Sequence, residues 1–239
     1  KLYRNVASLQ KGFENFSIKG NEIGWGTIGN ASTSEGHFFE AINASGVLQI
    51  PMVTSIWDDE YGISVHAKYQ TTKENISEVL KGFQRDPKNK GLEILRVNGW
   101  DYVQLMDTYR KAAEIARKEH VPVLIHVQEL TQPQGHSTSG SHERYKSKER
   151  LDWEKDHDCI LRMEKWIIDQ GIASPEEVNN IWKHAKKSAK AGRDAAWKAF
   201  NVPARSYAAE LKNAKEEAIT LYDRVLAKSP LRPGAWGNR

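Results

Sequence analysis

The stretch that decides the fold is Gly29-Asn30-Ala31-Ser32-Thr33-Ser34-Glu35-Gly36-His37-Phe38-Phe39-Glu40-Ala41-Ile42-Asn43, read together with Trp57-Asp58-Asp59-Glu60-Tyr61-Gly62. Each segment directly follows a short run that suits a buried strand, Glu22 to Ile28 before the first and Pro51 to Trp57 before the second. In a parallel sheet, ligands bind beyond the carboxyl ends of the strands. Asn30 and Asp59 then fall at neighbouring strand ends, where their oxygens suit a hard cation that holds a phosphate. From about Ser34 to Ala44 the spacing predicts a helix with Phe38, Ala41 and Ile42 on one side, and Ser32 or Ser34 is available as its cap. A helix N-terminus favours a nearby diphosphate through its free N–H groups and its dipole.

The same alternation continues outward. Leu92 to Val97 and Pro122 to Val127 read as two further strands. Between them Asp101 caps a helix that carries Leu105, Tyr109, Ala112, Ile115 and Ala116 at helical intervals. Strands alternating with helices predict an α/β fold, a mostly parallel sheet with helices on both faces. A polar loop rich in Gly, Ser and Gln follows from about Thr131 to Lys148, a length that points to function or disorder. Beyond it the chain turns helical. A helix is expected over Asp156 to Asp169, with Ile160, Met163, Trp166 and Ile167 on one face and Gly171 as its stop. Ser174-Pro175-Glu176-Glu177 is a capping box that starts another helix, expected to run to Phe200 and to end at Pro203. A last helix is expected from Tyr207 to Ala227, before a linker-like tail from Pro230 to Arg239. The domain division expected is 1–150, 151–203 and 204–239.

Composition narrows the class. With 239 residues, 39% hydrophobic and 28% charged, the chain can bury a full core. No apolar run approaches the length of a membrane span, and no charged-then-apolar leader opens the chain. The single cysteine, Cys159, cannot form an internal disulfide and reads as a small buried residue, so a reducing, cytoplasmic compartment is expected. The net charge is only +4, and its basic excess gathers at Lys183, Lys186, Lys187, Lys190 and Arg193. That pattern is one solvated helix face. A nucleic-acid surface would add interleaved aromatics or a far larger excess.

Four blocks in order carry a resemblance. Thr33-Ser34-Glu35-Gly36 through Asn43, then Asp58-Asp59-Glu60-Tyr61-Gly62, then Val97-Asn98-Gly99-Trp100-Asp101, then Gly135-His136-Ser137-Thr138-Ser139 with Tyr145-Lys146, lie at compatible spacing. Together they resemble the alpha subunit, or the alpha half of a fused chain, of the thiamine-diphosphate-dependent decarboxylating component of 2-oxo acid dehydrogenase complexes. The resemblance covers about Gly29 to Ala173. It implies a thiamine diphosphate-binding fold with C-terminal helices. The diphosphate-binding domain would be N-terminally incomplete, in a partial subunit without decarboxylase activity alone.

The resemblance also assigns roles. Asn30, Asp59 and the carbonyl of Tyr61 are expected to hold Mg²⁺, and Gly29, Asn30, Ala31, Ser32, Asp59, Gly62 and His136 to line the cofactor. The family has Asp where this chain has Asn30, Gly where it has Ala31, and Asn where it has Asp59. One amide oxygen and one carboxylate are thus present, with their positions exchanged, and ligand charge and count are unchanged. Asp58 adds a second carboxylate, which must turn away, pair with a cation or bond to backbone. His136 is expected to act on groups during acyl transfer, a task that suits an imidazole. Ser137 stands where some relatives are phosphorylated, and a phosphate there would repel a diphosphate. His37, His66, His120, His126, His142, His157 and His184 carry no signal beyond ordinary surface or core histidines. Trp25, Trp57, Trp100, Trp153 and Trp166 read as core or interface aromatics.

The activity implied is oxidative decarboxylation of a branched-chain 2-oxo acid or pyruvate, with acyl transfer to a lipoyl arm. Implied partners are a beta subunit or fused pyrimidine-binding half and a lipoyl acyltransferase core, in a heterotetramer or a homodimer of fused chains. The Asn30 and Ala31 replacements also fit a catalytically degenerate subunit retained for assembly of the complex.

Overall fold

The structure, a computed structural model, describes residues 6, 11–12, 15–136 and 142–228. The chain divides into two compact units, Lys1–Ile172 and Ala173–Arg239. The first unit is α/β. Its strands are β1 (Gly24–Gly29), β2 (Met52–Trp57), β3 (Tyr61–Gly62), β4 (Val65–His66), β5 (Glu93–Asn98) and β6 (Val123–Gln128). Its helices are α1 (Gly36–Leu48), α2 (Ile76–Val79), α3 (Tyr102–Glu119), α4 (His142–Tyr145), α5 (Lys148–Asp156) and α6 (Cys159–Asp169).

Four of the strands form one sheet in the order β1-β2-β6-β5, every pair parallel. β3 and β4 make a separate two-residue antiparallel ladder. Val123 to Val127 of β6 are all buried, which is why this segment reads as an unbroken apolar run. On one face Val53, Val97, Ile125 and Val127 pack with Ala112, Ile115 and Ala116 of α3. On the other, Ile56 and Leu124 pack with Phe38 and Ile42 of α1 and with Ile76 and Leu80. Each fully buried Leu or Ile contributes roughly 1.5–3 kcal/mol, so these two layers fix the sheet and with it the strand ends. Asp101 caps α3 as expected, its Oδ1 accepting from the Gln104 N–H at 3.0 Å.

Several local details differ from the sequence expectation, each for a visible reason. Ser34 does not cap α1; its hydroxyl donates to the Gln70 carbonyl at 3.0 Å, and the cap position is Glu35. The helix expected over 156–169 is α6, which starts at Cys159 because the Asp158 carboxylate accepts from the Ile160 and Leu161 N–H groups at 2.9 and 3.0 Å; Asp156 instead ends α5. Gly171, with φ +65°, follows the end of α6 as expected. The polar loop is broken by α4 and closed by α5. Cys159 is half-buried rather than buried, its Sγ 3.4 Å from the Thr131 hydroxyl.

Among its described residues the second unit is one helix, α7 (Pro175–Lys228). Its start is the expected capping box: Ser174 Oγ accepts from the Glu177 N–H at 3.2 Å, and Glu177 Oε2 accepts from the Ser174 N–H at 2.8 Å. Pro203 does not end it. A proline removes one hydrogen bond from the ladder, and a long helix can absorb that loss. The flanking residues favour continuation, with Ala195, Ala196, Ala199, Ala204, Ala208 and Ala209 on either side. Lys183, Lys186, Lys187, Lys190 and Arg193 are all exposed on α7.

Candidate functional site

The ends of β1 and β2 are tied to each other. The Asn30 N–H donates to the Trp57 carbonyl at 3.0 Å, and the Asn30 carbonyl accepts from the N–H and hydroxyl of Thr33 at 3.1 and 2.6 Å. The end of β2 is tied in turn to β6. The Asp58 N–H donates to the Val127 carbonyl at 2.9 Å, and the Leu130 N–H donates to the Asp58 carbonyl at 3.0 Å. Three strand ends are therefore held in register, and the segments leaving them share one cavity.

That cavity has a volume of about 770 Å³, within the range of small-molecule sites. Gly29, Asn30, Ala31 and Ser32 line it from β1, Asp59, Tyr61 and Gly62 from the turn after β2, and Thr131, Gln132 and His136 from the loop after β6. Trp57, Ile63, Val65, Gln70 and Leu130 complete the lining. Every residue expected at the site from sequence thus faces this space, except Ser137, which lies outside the described residues. His136 is exposed at its edge.

The polar groups suit a cation with a phosphate. Asn30 is 7% exposed and lines the cavity. Asp59 Oδ1 accepts from the Tyr61 N–H at 3.1 Å. Burial pushes the Asp59 carboxyl above its ordinary value, opposed by the Tyr61 N–H and the Lys146 charge and reinforced by Asp58. A carboxylate penalised for ionising gains from a bound cation. Burial likewise pushes the Tyr61 phenol up. Among the described residues no three His, Cys, Asp or Glu side chains gather as a metal group. One amide, one carboxylate and a carbonyl are instead oxygen donors of the kind that could hold Mg²⁺.

Close packing explains two small residues here. A Cβ on Gly62 would lie 2.6 Å from the Ala31 Cβ and 2.7 Å from Gln70 Oε1. Ala31 is accommodated because its opposite neighbour is glycine. At Gly135, φ is +67° and a Cβ would lie 2.6 Å from the Tyr145 hydroxyl, so glycine is required beside His136.

A buried ionic network fastens the loop to the turn. Lys146 Nζ donates to both oxygens of Glu154 at 2.7 and 2.9 Å and to the Gln132 carbonyl at 3.2 Å. Arg150 bridges Glu154 Oε1 at 2.9 Å and Glu60 Oε2 at 2.7 Å, and reaches the Asp59 carbonyl at 3.3 Å. The Tyr145 and Tyr61 rings lie 5.5 Å apart. Lys146 therefore orders the loop and, being buried, is not free to steer an external partner.

Asp58 turns away from the cavity lining. Its Oδ1 accepts from the Glu60 N–H at 2.8 Å, and its Oδ2 lies 2.8 Å from Nε2 of the fully buried His126. His126 carried no signal in the sequence, although strand register could have found it: it pairs with Ile56, two residues before Asp58. Trp25 and Trp57 are about half exposed, and Trp57 lines the cavity rather than the core. No helix among the described residues is long and apolar enough to cross a membrane.

The chain is similar to known proteins. The family model described as dehydrogenase E1 component matches residues 7–203. A 2-oxoisovalerate dehydrogenase subunit alpha 1, mitochondrial, of Arabidopsis thaliana is 29% identical over 83% of this chain and 42% of its own length. A pyruvate dehydrogenase E1 component subunit alpha of Rickettsia bellii is 25% identical over 71% of this chain and 49% of its own. A 2-oxoisovalerate dehydrogenase subunit alpha of Bacillus subtilis is 28% identical over 63% and 43%. The chain spans about half the length of the curated relatives it matches.

Proposed function

The chain belongs to the dehydrogenase E1 component family, whose members depend on thiamine diphosphate, and from that premise we propose that it supplies the Mg²⁺- and diphosphate-holding half of such a site. The activity proposed is oxidative decarboxylation of a 2-oxo acid, branched-chain or pyruvate, with the acyl group passed to a lipoyl arm. The observation that carries this reading is the meeting of Asn30 and Asp59 in one cavity at neighbouring strand ends.

Each residue has a task. Asn30 and Asp59 would hold the cation through an amide and a carboxylate oxygen, with the Tyr61 carbonyl as third protein ligand. Gly29, Ala31, Ser32 and Gly62 present little side-chain bulk and let phosphate oxygens approach backbone. Trp57, Ile63, Val65 and Leu130 give the cavity an apolar side. His136 stands at the edge, where it can hold or pass a proton to a group entering from outside. Thiamine diphosphate, when bound, supplies the electron sink that makes loss of carbon dioxide from a 2-oxo acid feasible.

The partners proposed are a beta subunit or fused pyrimidine-binding half and a lipoyl acyltransferase core, in a heterotetramer or a homodimer of fused chains. A single cysteine fits a reducing compartment such as the cytoplasm. Calorimetric titration with thiamine diphosphate, with and without Mg²⁺, tests the central step. Binding is expected only with the cation, and Asp59→Ala is expected to abolish it while leaving the circular dichroism unchanged. Absence of binding with Mg²⁺, Mn²⁺ and Ca²⁺ would instead favour a degenerate subunit retained for assembly. Parallel kinetics on pyruvate and 2-oxoisovalerate, with the partner subunit present, separate the substrates.

A further inference from the structure

Under the turn that carries Asp59 and Tyr61 runs a buried chain of polar side chains that nothing in the proposed chemistry uses. Asn75 Oδ1 accepts from the Ser77 hydroxyl at 2.8 Å. Ser77 Oγ also lies 2.8 Å from His126 Nδ1, and His126 Nε2 lies 2.8 Å from Asp58 Oδ2. Asp58 Oδ1 then accepts from the Glu60 N–H at 2.8 Å. Ser77 and His126 are fully buried, and Asp58 is 8% exposed.

The chain ends on a residue with an unusual backbone. Glu60 has φ +69°, a region that residues with a Cβ enter at a cost and hold only where neighbours fix them. Three contacts fix this one. Its N–H is held by Asp58, its carbonyl accepts from the Ala67 N–H at 2.8 Å, and its carboxylate pairs with Arg150 at 2.7 Å. Asp59 precedes it and Tyr61 follows it, so the conformation of Glu60 sets the relative direction of the two residues that face the cavity.

We propose that His126 is a positioning residue for the cation, holding both oxygens of Asp58 to the protein so that Glu60 stays left-handed and Asp59 is the carboxylate presented to the cavity. This rests on the cation-binding role proposed for Asp59 and Tyr61. Both Asp58 oxygens are engaged, one by the turn and one by the imidazole, so the two adjacent acids are divided between two tasks. Ser77 and Asn75 secure the far side of the ring.

Two measurements on the full chain test it, local amide exchange by NMR and Mn²⁺ affinity in the presence of thiamine diphosphate by electron paramagnetic resonance. Loss of a hydrogen bond to a charged group is expected to speed exchange at Glu60 and Tyr61 about tenfold in His126→Leu, with Leu124 and Ile125 unchanged. Mn²⁺ affinity is expected to fall by about the same factor. Adding E60G to that variant is expected to restore affinity to within roughly threefold of the parent, because glycine adopts positive φ without the clamp. Ser77→Ala, which removes only the distant hydroxyl, is expected to give a roughly threefold effect in the same direction and carries the test if His126→Leu does not fold. Wild-type exchange and affinity in these variants would overturn the proposal. So would an affinity loss that E60G leaves in place, which would make His126 a packing residue only. If the parent chain binds no Mn²⁺ with thiamine diphosphate, the cation site itself fails, and His126 as its positioning residue fails with it. The exchange data then show separately whether His126 holds the turn.

Discussion

Lys146 and Glu154 offer the sharpest test of what holds the loop against the site. Both side chains are 1% exposed, and the ammonium meets both carboxylate oxygens at 2.7 and 2.9 Å. Removing one partner of such a pair strands the other charge in the interior, at a cost of about 3–5 kcal/mol. The two single substitutions should not be equal. In Lys146→Met the Glu154 carboxylate keeps Arg150 at 2.9 Å, so the cost falls near the lower bound, about 3 kcal/mol. In Glu154→Leu the ammonium keeps only the Gln132 carbonyl at 3.2 Å and the Tyr61 ring at 5.2 Å, so the cost approaches about 5 kcal/mol. Replacing both removes both charges, and Arg150 retains Glu60; that double variant is expected within about 1 kcal/mol of the parent. Urea unfolding followed by tryptophan emission measures all three. With a slope of roughly 2 kcal/mol per molar urea, the midpoint should fall by about 1.5 M in Lys146→Met and about 2.5 M in Glu154→Leu. Single-variant shifts below about 0.3 M would refute the reasoning, and so would a double variant that loses the sum of the two.

Gly62→Ala should lower the melting temperature by an overpacking cost of about 1–3 kcal/mol, because the added Cβ falls 2.6 Å from the Ala31 Cβ, which, unlike the Gln70 side-chain end, cannot rotate away. Ser174→Ala breaks the capping box at the start of α7 and should cost about 1 kcal/mol, read as faster amide exchange in that first turn with the rest of the helix unchanged. Glu78 bonds to Lys81 and Arg96, which hold its carboxyl down from 4.5 to about 2. A depressed carboxyl stabilises the folded chain fully above its unfolded value and loses that contribution as pH falls through the folded one. A carbon-detected titration should therefore place the Glu78 midpoint near 2, and a midpoint at 4.5 would contradict the pairing.

The parts of the fold written in local periodicity were legible. The four parallel strands and the Asp101-capped helix α3 follow from apolar runs and a cap residue, and the strand ends put Asn30 and Asp59 beside one cavity. What sequence could not give depends on residues far apart in the chain. Ser34 has the chemistry of a cap, but its hydroxyl donates to the carbonyl of Gln70, 36 positions away. Pro203 looked like a stop because proline lacks an N–H, whereas the alanines around it carry α7 onward. His126 sat inside an apolar run with nothing to mark it, since its partner Asp58 is 68 positions distant and becomes its neighbour only through the β2–β6 register. The network of Lys146, Arg150 and Glu154 was hidden in the same way, as charges that read as surface in a polar loop but close over the turn.

Diffraction from crystals grown with thiamine diphosphate and Mn²⁺, recorded at the manganese edge, examines the exchanged ligand pair most directly. One anomalous peak is expected in the cavity, bonded to a side-chain oxygen of Asn30, a carboxylate oxygen of Asp59 and the carbonyl of Tyr61, with oxygen distances of roughly 2.0–2.2 Å typical of such small hard cations. A bound cofactor whose metal touches neither side chain, or a peak elsewhere, would contradict it.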